Sequence, residues 1–196
     1  MHKKQLMDEV TAAIQKCRKC PLHETRKNVV PGEGSLDSPV VFVGEAPGAD
    51  EDVSGRPFVG RAGKLLDEIL KAVSLSRSDI YITNIVKCRP PNNRDPIADE
   101  MNKCSAYLFS QLQIINPQVI VTLGRVPLIY LLDKKGLKIT KMRGKKIEYK
   151  NGVDIFPMFH PSYLLRNQSK SKGSPKYLTW LDIKEVRRLY DESKKG

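Results

Sequence analysis

Four short apolar runs constrain the fold of this chain more than any other feature. They are VVFVG at 40–44, DIYITNIVKC at 79–88, VIVTLG at 119–124 and VDIFPMFHP at 153–161. Each reads as a strand buried in a sheet. Helical stripes separate them. GRAGKLLDEILKAV sets Leu65, Leu66, Ile69, Leu70 and Val73 along one face. DPIADEMNKCSAYLFSQLQII opens with Asp95 as an N-cap and Pro96 in the first helical position. RVPLIYLLDKK reads as a short helix, SPKYLTWLDIKEVRRLYDESK as a closing one, and HKKQLMDEVTAAIQK, with Leu6, Val10, Ala13 and Ile14, as an opening one. KITKMRGKKIEYKNG reads as a hairpin with an exposed basic turn. Strands that alternate with helices predict an α/β sandwich around a four-stranded, mostly parallel sheet. In such a sheet, sites gather beyond the carboxyl ends of the strands. Loops 45–60, 84–94 and 160–170 fall there.

At 196 residues the chain suits one domain. Residues 1–20 carry the first helix and a cysteine pair, and 168–176 form a mobile basic loop. Lys and Arg number 34 against 22 Asp and Glu, a net charge of +12. Such an excess favours a polyanionic partner held by counterion release. No apolar run approaches the roughly 20 residues that span a bilayer. The N-terminus, MHKKQLMDEV, carries no apolar signal core, so a soluble intracellular protein is expected.

Four cysteines are present: Cys17 and Cys20 as C-x-x-C, Cys88 at a strand end, and Cys104 inside the following helix. Disulfides are disfavoured in an intracellular chain. Redox C-x-x-C pairs open a helix after a strand, which this one does not. Four thiolates without a spare suit one closed site, either zinc or a [4Fe–4S] cluster. Pro21 and Pro90 beside the ligands tilt the choice to iron–sulfur. With four protein ligands and no open position, the role is structural.

Three polar or aromatic residues stand out. Asn84 interrupts IYITNIVK; its amide either ties loops together or reads a base edge with its adjacent donor and acceptor. His160 ends the last strand before Pro161, which restricts its backbone; it is a cap or an aimed functional group. Phe58, in GRPFVG, is either core or a stacking platform. His23 is expected to be solvated. The loop GEAPGADEDVSGRPFVG poses a further question, since it is glycine-rich like a phosphate cradle yet carries Glu45, Asp50, Glu51 and Asp52. Only its end, the backbone amides of Gly60–Gly63 at a helix N-terminus, suits phosphate. Asp50 and Asp52 read as capping, solvated residues.

In order, C-x-x-C, GEAPG, GRPFVGRAGKLLD, TNIVKCRPP, the C-x15-C pair and HPSYLLRN resemble the family 4, iron–sulfur uracil-DNA glycosylases, from about Cys17 to about Asn167. The resemblance implies a three-layer α/β/α sandwich and a [4Fe–4S] cluster on the four cysteines. It implies a pocket for an extruded uracil walled by Gly44, Glu45, Ala46 and Gly48. Phe58 would stack on the base, Asn84 would read its N3–H and O4, and His160 would donate to O2. Ala46 stands where the non-metal branch carries an aspartate base. Glu45 and Glu51 are the candidates to replace it, Glu51 as support for the loop or the water. Leu164 matches the intercalating wedge, with Leu165 as the near alternative. Gly60, Arg61, Gly63, Ser162 and Arg166 would meet DNA, with Lys170 and Lys172 near by.

TNIVKCRPPNNRDP lacks the inserted basic loop of the branch that traps uracil covalently, so turnover is expected. Glu45 separates the chain from family 5, which has an apolar residue there. The implied reaction is hydrolysis of the N-glycosidic bond of deoxyuridine, in single- or double-stranded DNA, leaving an abasic site. The implied protein is a monomer, without membrane association, in the cytoplasm and nucleoid of a prokaryote. Sliding clamps and other repair proteins are compatible partners, but no docking motif marks one. Two other readings stay open: a metal-stapled nucleic-acid-binding module without catalysis, and a glycosylase of broader deaminated-base specificity.

Overall fold

The computed structural model describes residues 2–194; the ends of the expected 1–196 domain fall outside the described residues. At its centre, four strands run parallel: β2 (Val40–Gly44), β3 (Tyr81–Asn84), β4 (Val119–Leu123) and β6 (Asp154–Met158). Two-residue antiparallel strands extend both edges, β1 (Glu33–Gly34) beside β3 and β5 (Ile147–Glu148) beside β6. The sheet thus has six strands among the described residues, in the order β1-β3-β2-β4-β6-β5. The four-strand expectation holds for the parallel centre and missed only the short edges.

Side chains on the central strands alternate between two cores. Val41, Val43, Tyr81, Ile120 and Ile155 pack on one face with Leu108 and Leu112 of α5 (Ala98–Ile115), Leu128 of α6 (Arg125–Leu132) and Met7 of α1 (His2–Gln15). Val40, Phe42, Ile82, Val121 and Phe156 pack on the other with Leu66 and Leu70 of α4 (Arg61–Lys71) and with Ile183 and Val186 of α9 (Pro175–Ser193). Both faces are therefore covered, which is why the strand sequences run continuously apolar. The result is a three-layer α/β/α sandwich. Short helices complete it: α2 (Leu22–Thr25), α3 (Ala49–Ser54), α7 (Ile139–Met142) and α8 (Pro161–Arg166). No helix among the described residues is long and apolar enough to cross a membrane.

Two local expectations need correction. Helix α5 begins at Ala98 rather than Pro96, because the Glu100 carboxylate accepts from the Ile97 amide at 2.9 Å and caps the helix there. Asp95 is thereby released from capping. The segment 138–152 is not one hairpin with a basic tip. Its first part coils into α7, and the hairpin is β5–β6, turning through Lys150–Val153 with Gly152 at φ 76°.

Helix α9 is fastened to the turn after α7 by one buried ion pair. Asp182, 1% exposed, receives the Arg143 guanidinium through Nε at 2.7 Å and through Nη2. Arg143 also donates to the Leu178 carbonyl at 3.2 Å. Arg143→Ala leaves a buried carboxylate without its cation, and the unfolding free energy is expected to fall by about 3–5 kcal/mol. Urea denaturation followed by circular dichroism measures it; an unchanged midpoint would mean that the pair does not hold α9 in place.

Candidate active site

A cavity of about 580 Å³ opens at the carboxyl ends of the parallel strands. Glu45, Ala46, Glu51, Phe58, Asn84, His160, Ser162 and Arg166 all line it. Residues far apart in sequence meet there because the strand register requires it: Gly44 and Asn84 are paired neighbours on β2 and β3. A Cβ on Gly44 would fall 2.3 Å from Asn84 Oδ1 and 2.6 Å from Phe58 Cζ. The bare glycine is what leaves room for the Asn84 amide and the Phe58 ring to stand side by side.

Asn84 is 1% exposed, and its Oδ1 has no hydrogen-bond partner among the described residues. A buried carbonyl left unpaired is costly unless something else supplies a donor. His160 is the N-cap of α8. Its Nδ1 accepts from the Ser162 amide at 3.1 Å and lies 2.8 Å from Ser162 Oγ. The ring's remaining proton therefore resides on Nε2. Burial, reinforced by the charge of Arg166 and opposed by Glu51, pushes the His160 pKa down to about 4. The imidazole is neutral at physiological pH. Phe58 stands beside it, with ring centroids 5.8 Å apart and tilted by 37°.

Glu51 braces the loop. Its Oε2 accepts from the Gly48 amide at 3.1 Å, while Oε1 accepts from Val59 and Gly60 at 2.9 Å each. Both oxygens are committed, so loop support, and not water activation, is the work this geometry allows. The same contact corrects the assignment of Gly60 to phosphate, since its amide already donates to Glu51. Gly63 is buried, and a Cβ there would fall 1.8 Å from the Phe58 carbonyl oxygen, so its place is in packing. Arg61 remains exposed at the start of α4. Asp52 is not solvated: it is 2% exposed and accepts from the Lys27 amide at 2.9 Å. His23 is likewise engaged, its Nδ1 lying 2.8 Å from the Cys20 carbonyl.

The wedge assignment also changes. Leu164 is 1% exposed and packs beneath α8, where it cannot enter a base stack without leaving the core. Leu165 is half-buried on the next helical position.

Sequence reasoning missed Asp95 and Arg125, which line the same cavity. Arg125 Nη2 lies 3.9 Å from Asp95 Oδ2. Burial first, then the charge and hydrogen bond of Asp95, push the Glu45 pKa up to about 7, with Arg125 opposing. For Asp95 the available signal was its place in PPNNRDP, which reads locally as a helix start.

On the far side of β3, all four cysteines border one small cavity with Arg26, Lys87 and Tyr107. Arg26 Nη1 donates to Cys88 Sγ at 3.0 Å and its Nη2 to the Cys17 carbonyl at 2.9 Å. The Lys87 amide donates to Cys104 Sγ at 3.3 Å. Apolar burial raises the pKa of the Cys20 and Cys88 thiols and takes Cys104 to about 11. Among the described residues the four are not drawn into a metal-holding cluster, but as soft donors around one cavity, with N–H groups aimed at two sulfurs, they are compatible with a thiolate-bound metal, zinc or iron–sulfur.

The model of the Uracil DNA glycosylase superfamily matches residues 31–184. The chain is 53% identical to a type-4 uracil-DNA glycosylase of Thermotoga maritima over 167 residues, 85% of this chain and 87% of the relative. It is 48% identical to the type-4 uracil-DNA glycosylase of Archaeoglobus fulgidus, over 81% of this chain and 83% of the relative. Identity to a type-5 uracil-DNA glycosylase of Pyrobaculum aerophilum is 33%, over 72% of this chain and 69% of the relative. A pocket lined by Phe58, Asn84 and His160, with matches of this length and identity, leaves one conclusion: the chain belongs to the uracil-DNA glycosylase superfamily, in its type-4 branch.

Proposed function

We infer that this chain is a DNA repair glycosylase that excises uracil from DNA. The observation that carries this reading is the unpartnered Oδ1 of buried Asn84, which lines the same pocket as a neutral His160. Uracil presents an N3–H donor beside an O4 acceptor, the complement of a fixed carboxamide. Cytosine presents the reverse pattern, so an amide held in this orientation rejects it. Duplex DNA hides these edges, and the nucleotide must first leave the stack. Phe58 offers a ring face to the extruded base, and His160 donates from Nε2 to uracil O2.

Breaking the glycosidic bond leaves negative charge on the uracil ring and positive charge on the sugar. The Nε2–H donor stabilises the first without itself losing a proton. The acidic wall of the pocket favours the second. Glu45 is the base that takes a proton from the attacking water, with Asp95 beside it keeping its pKa near the working pH. A cation-like sugar needs only a weakly activated nucleophile, so Ala46 in place of an aspartate does not disable the site. Leu165 serves as the wedge, and Arg61, Ser162 and Arg166 meet the backbone phosphates. A [4Fe–4S] cluster on Cys17, Cys20, Cys88 and Cys104 would supply a cross-link between the N-terminal segment, the stretch after β3 and α5, with no part at the base.

Incubation with a uracil-containing oligonucleotide, followed by alkaline cleavage of abasic sites, tests the activity directly; intact strands at every salt concentration would defeat it. His160→Ala should lower the single-turnover rate about 10²–10³-fold, the cost of one oxyanion donor. Asn84→Ala should do likewise and loosen rejection of cytosine. Both should leave DNA affinity nearly intact, and an equal loss of binding and rate would remove their assigned roles.

Glu45 works as a carboxylate, the form present above its pKa. The rate is therefore expected to rise as pH passes upward through about 7 and to fall below it. Asp95→Asn removes the neighbouring negative charge, makes Glu45 easier to ionise, and should move the midpoint to lower pH. A midpoint that stays in place, or a Glu45→Gln enzyme with the original profile, counts against Glu45 as the base. For the cysteine site, anaerobically purified protein should be brown with broad visible absorption, and Cys88→Ser should lose both colour and iron. Colourless protein holding stoichiometric zinc would overturn the cluster assignment.

A further inference from the structure

Phe58 adopts φ 52°, the left-handed region that non-glycine residues rarely occupy. Such a conformation persists only when its surroundings hold it. The peptide unit that follows Phe58 is held at both ends. Its N–H, on Val59, donates to Glu51 Oε1 at 2.9 Å. Its carbonyl oxygen accepts from Arg77 Nη2. Arg77 comes from the turn between α4 and β3, outside every motif near the pocket, and does not itself line the cavity.

The rest of the Arg77 guanidinium is fully engaged. Nη1 donates to the Pro57 carbonyl at 2.7 Å and to Glu33 Oε1 at 2.6 Å, and Nε donates to Asp67 Oδ1 at 2.7 Å. The side chain is 19% exposed. Two carboxylates, one from β1 and one from α4, orient the fork, and two successive carbonyls receive it. A guanidinium spent in this way, with carboxylates on two sides, is a poor site for a DNA phosphate. It is well shaped to fix a backbone turn. Gly63 completes the clamp from the other side, because a Cβ there would collide with the same carbonyl oxygen.

We propose that Arg77 is a positioning residue for the extruded base: by holding the Pro57 and Phe58 carbonyls, it keeps Phe58 in its left-handed conformation and its ring against His160 and Gly44. The inference rests on the uracil-excision reading for its kinetic consequence but not for its structural one. Lysine cannot replace arginine here, since one ammonium cannot serve two carbonyls and two carboxylates in one plane.

Arg77→Met and Arg77→Lys test it against Phe58→Ala. Arg77→Met should lower the single-turnover rate on uracil-containing DNA at least tenfold while affinity for abasic-site DNA stays within about twofold, and Arg77→Lys should recover only part of the rate. In the Phe58→Ala background, Arg77→Met should have almost no further effect on rate, because the ring it positions is gone. Losses that multiply instead would overturn the proposal, as would an Arg77→Met enzyme of unchanged rate. A crystal structure of the Arg77→Met protein gives a readout that does not need activity. Phe58 should leave the left-handed region and its ring should move away from His160; a ring and φ left where they are would defeat the proposal. If the unaltered enzyme released no uracil, the functional reading would fall, and that structure alone would still decide the role of Arg77.

Discussion

The pairing of Gly44 with Asn84 across β2 and β3 governs the rest of the pocket. In a parallel sheet, neighbouring strands end together, and whatever stands at their last positions shares one rim. Here one strand ends on a residue without a side chain and the next on a buried amide. The space that Gly44 leaves is filled from the side by the edge of Phe58, and the amide oxygen stays free of any internal donor. Two strands over from β2, beyond β4, the parallel strand β6 places His160 just past its own end. None of these side chains could be moved by one residue, since a one-residue slip turns a strand side chain to the opposite face.

Around this floor, the acids of a basic protein are turned inward. The loop that joins β2 to α4 resembles a phosphate cradle in its glycines, but its carboxylates occupy the amides that an anion would need. Glu51 takes three of them, and Asp52 anchors residues 27–28. Backbone amides satisfied by an internal carboxylate cannot bind phosphate, so the loop is rigid and anion-averse. Glu45 is left without such partners, and burial beside Asp95 makes its proton easy to keep. Two glutamates six residues apart thus have different surroundings: one spends both oxygens on backbone amides, and the other is poised by desolvation.

The parallel core was legible in the sequence because strands buried on both faces must be continuously apolar, and polar intrusions such as Asn84 and His160 then stand out. Helix phase was less legible. The difference between Leu164 and Leu165 is a 100° rotation on a six-residue helix, and the sequence PSYLL does not say which leucine faces the core. Asp95 was misread because its local context, Asp before Pro, imitates an N-cap; Glu100 supplies the cap instead. Arg77 was invisible. It belongs to no periodic element, and its meaning comes from carbonyls 19 and 20 residues away and from acids on two other elements. Tertiary convergence of that kind leaves no trace in spacing.

The cysteine cavity and the base pocket share one piece of backbone. Only three residues separate Asn84 from Cys88, and Lys87 lies between them with its ammonium group fully buried. Its Nζ donates to the Asn84 carbonyl at 2.8 Å, to Thr83 Oγ1 at 2.6 Å and to Gln111 Oε1 at 2.7 Å. Gln111 in turn donates to the Pro31 carbonyl at 2.9 Å. The main-chain amide of the same lysine reaches Cys104 Sγ. A buried ammonium group with three neutral acceptors is a costly way to hold a strand end if holding it were all that mattered. What it achieves is directional: strand β3 and helix α5 are hydrogen-bonded to a single nitrogen directly behind Asn84, and Gln111 extends the network to the loop before β1. The carboxamide that faces the pocket therefore has a backbone that cannot swing, and a reader of base edges must be fixed before it can discriminate.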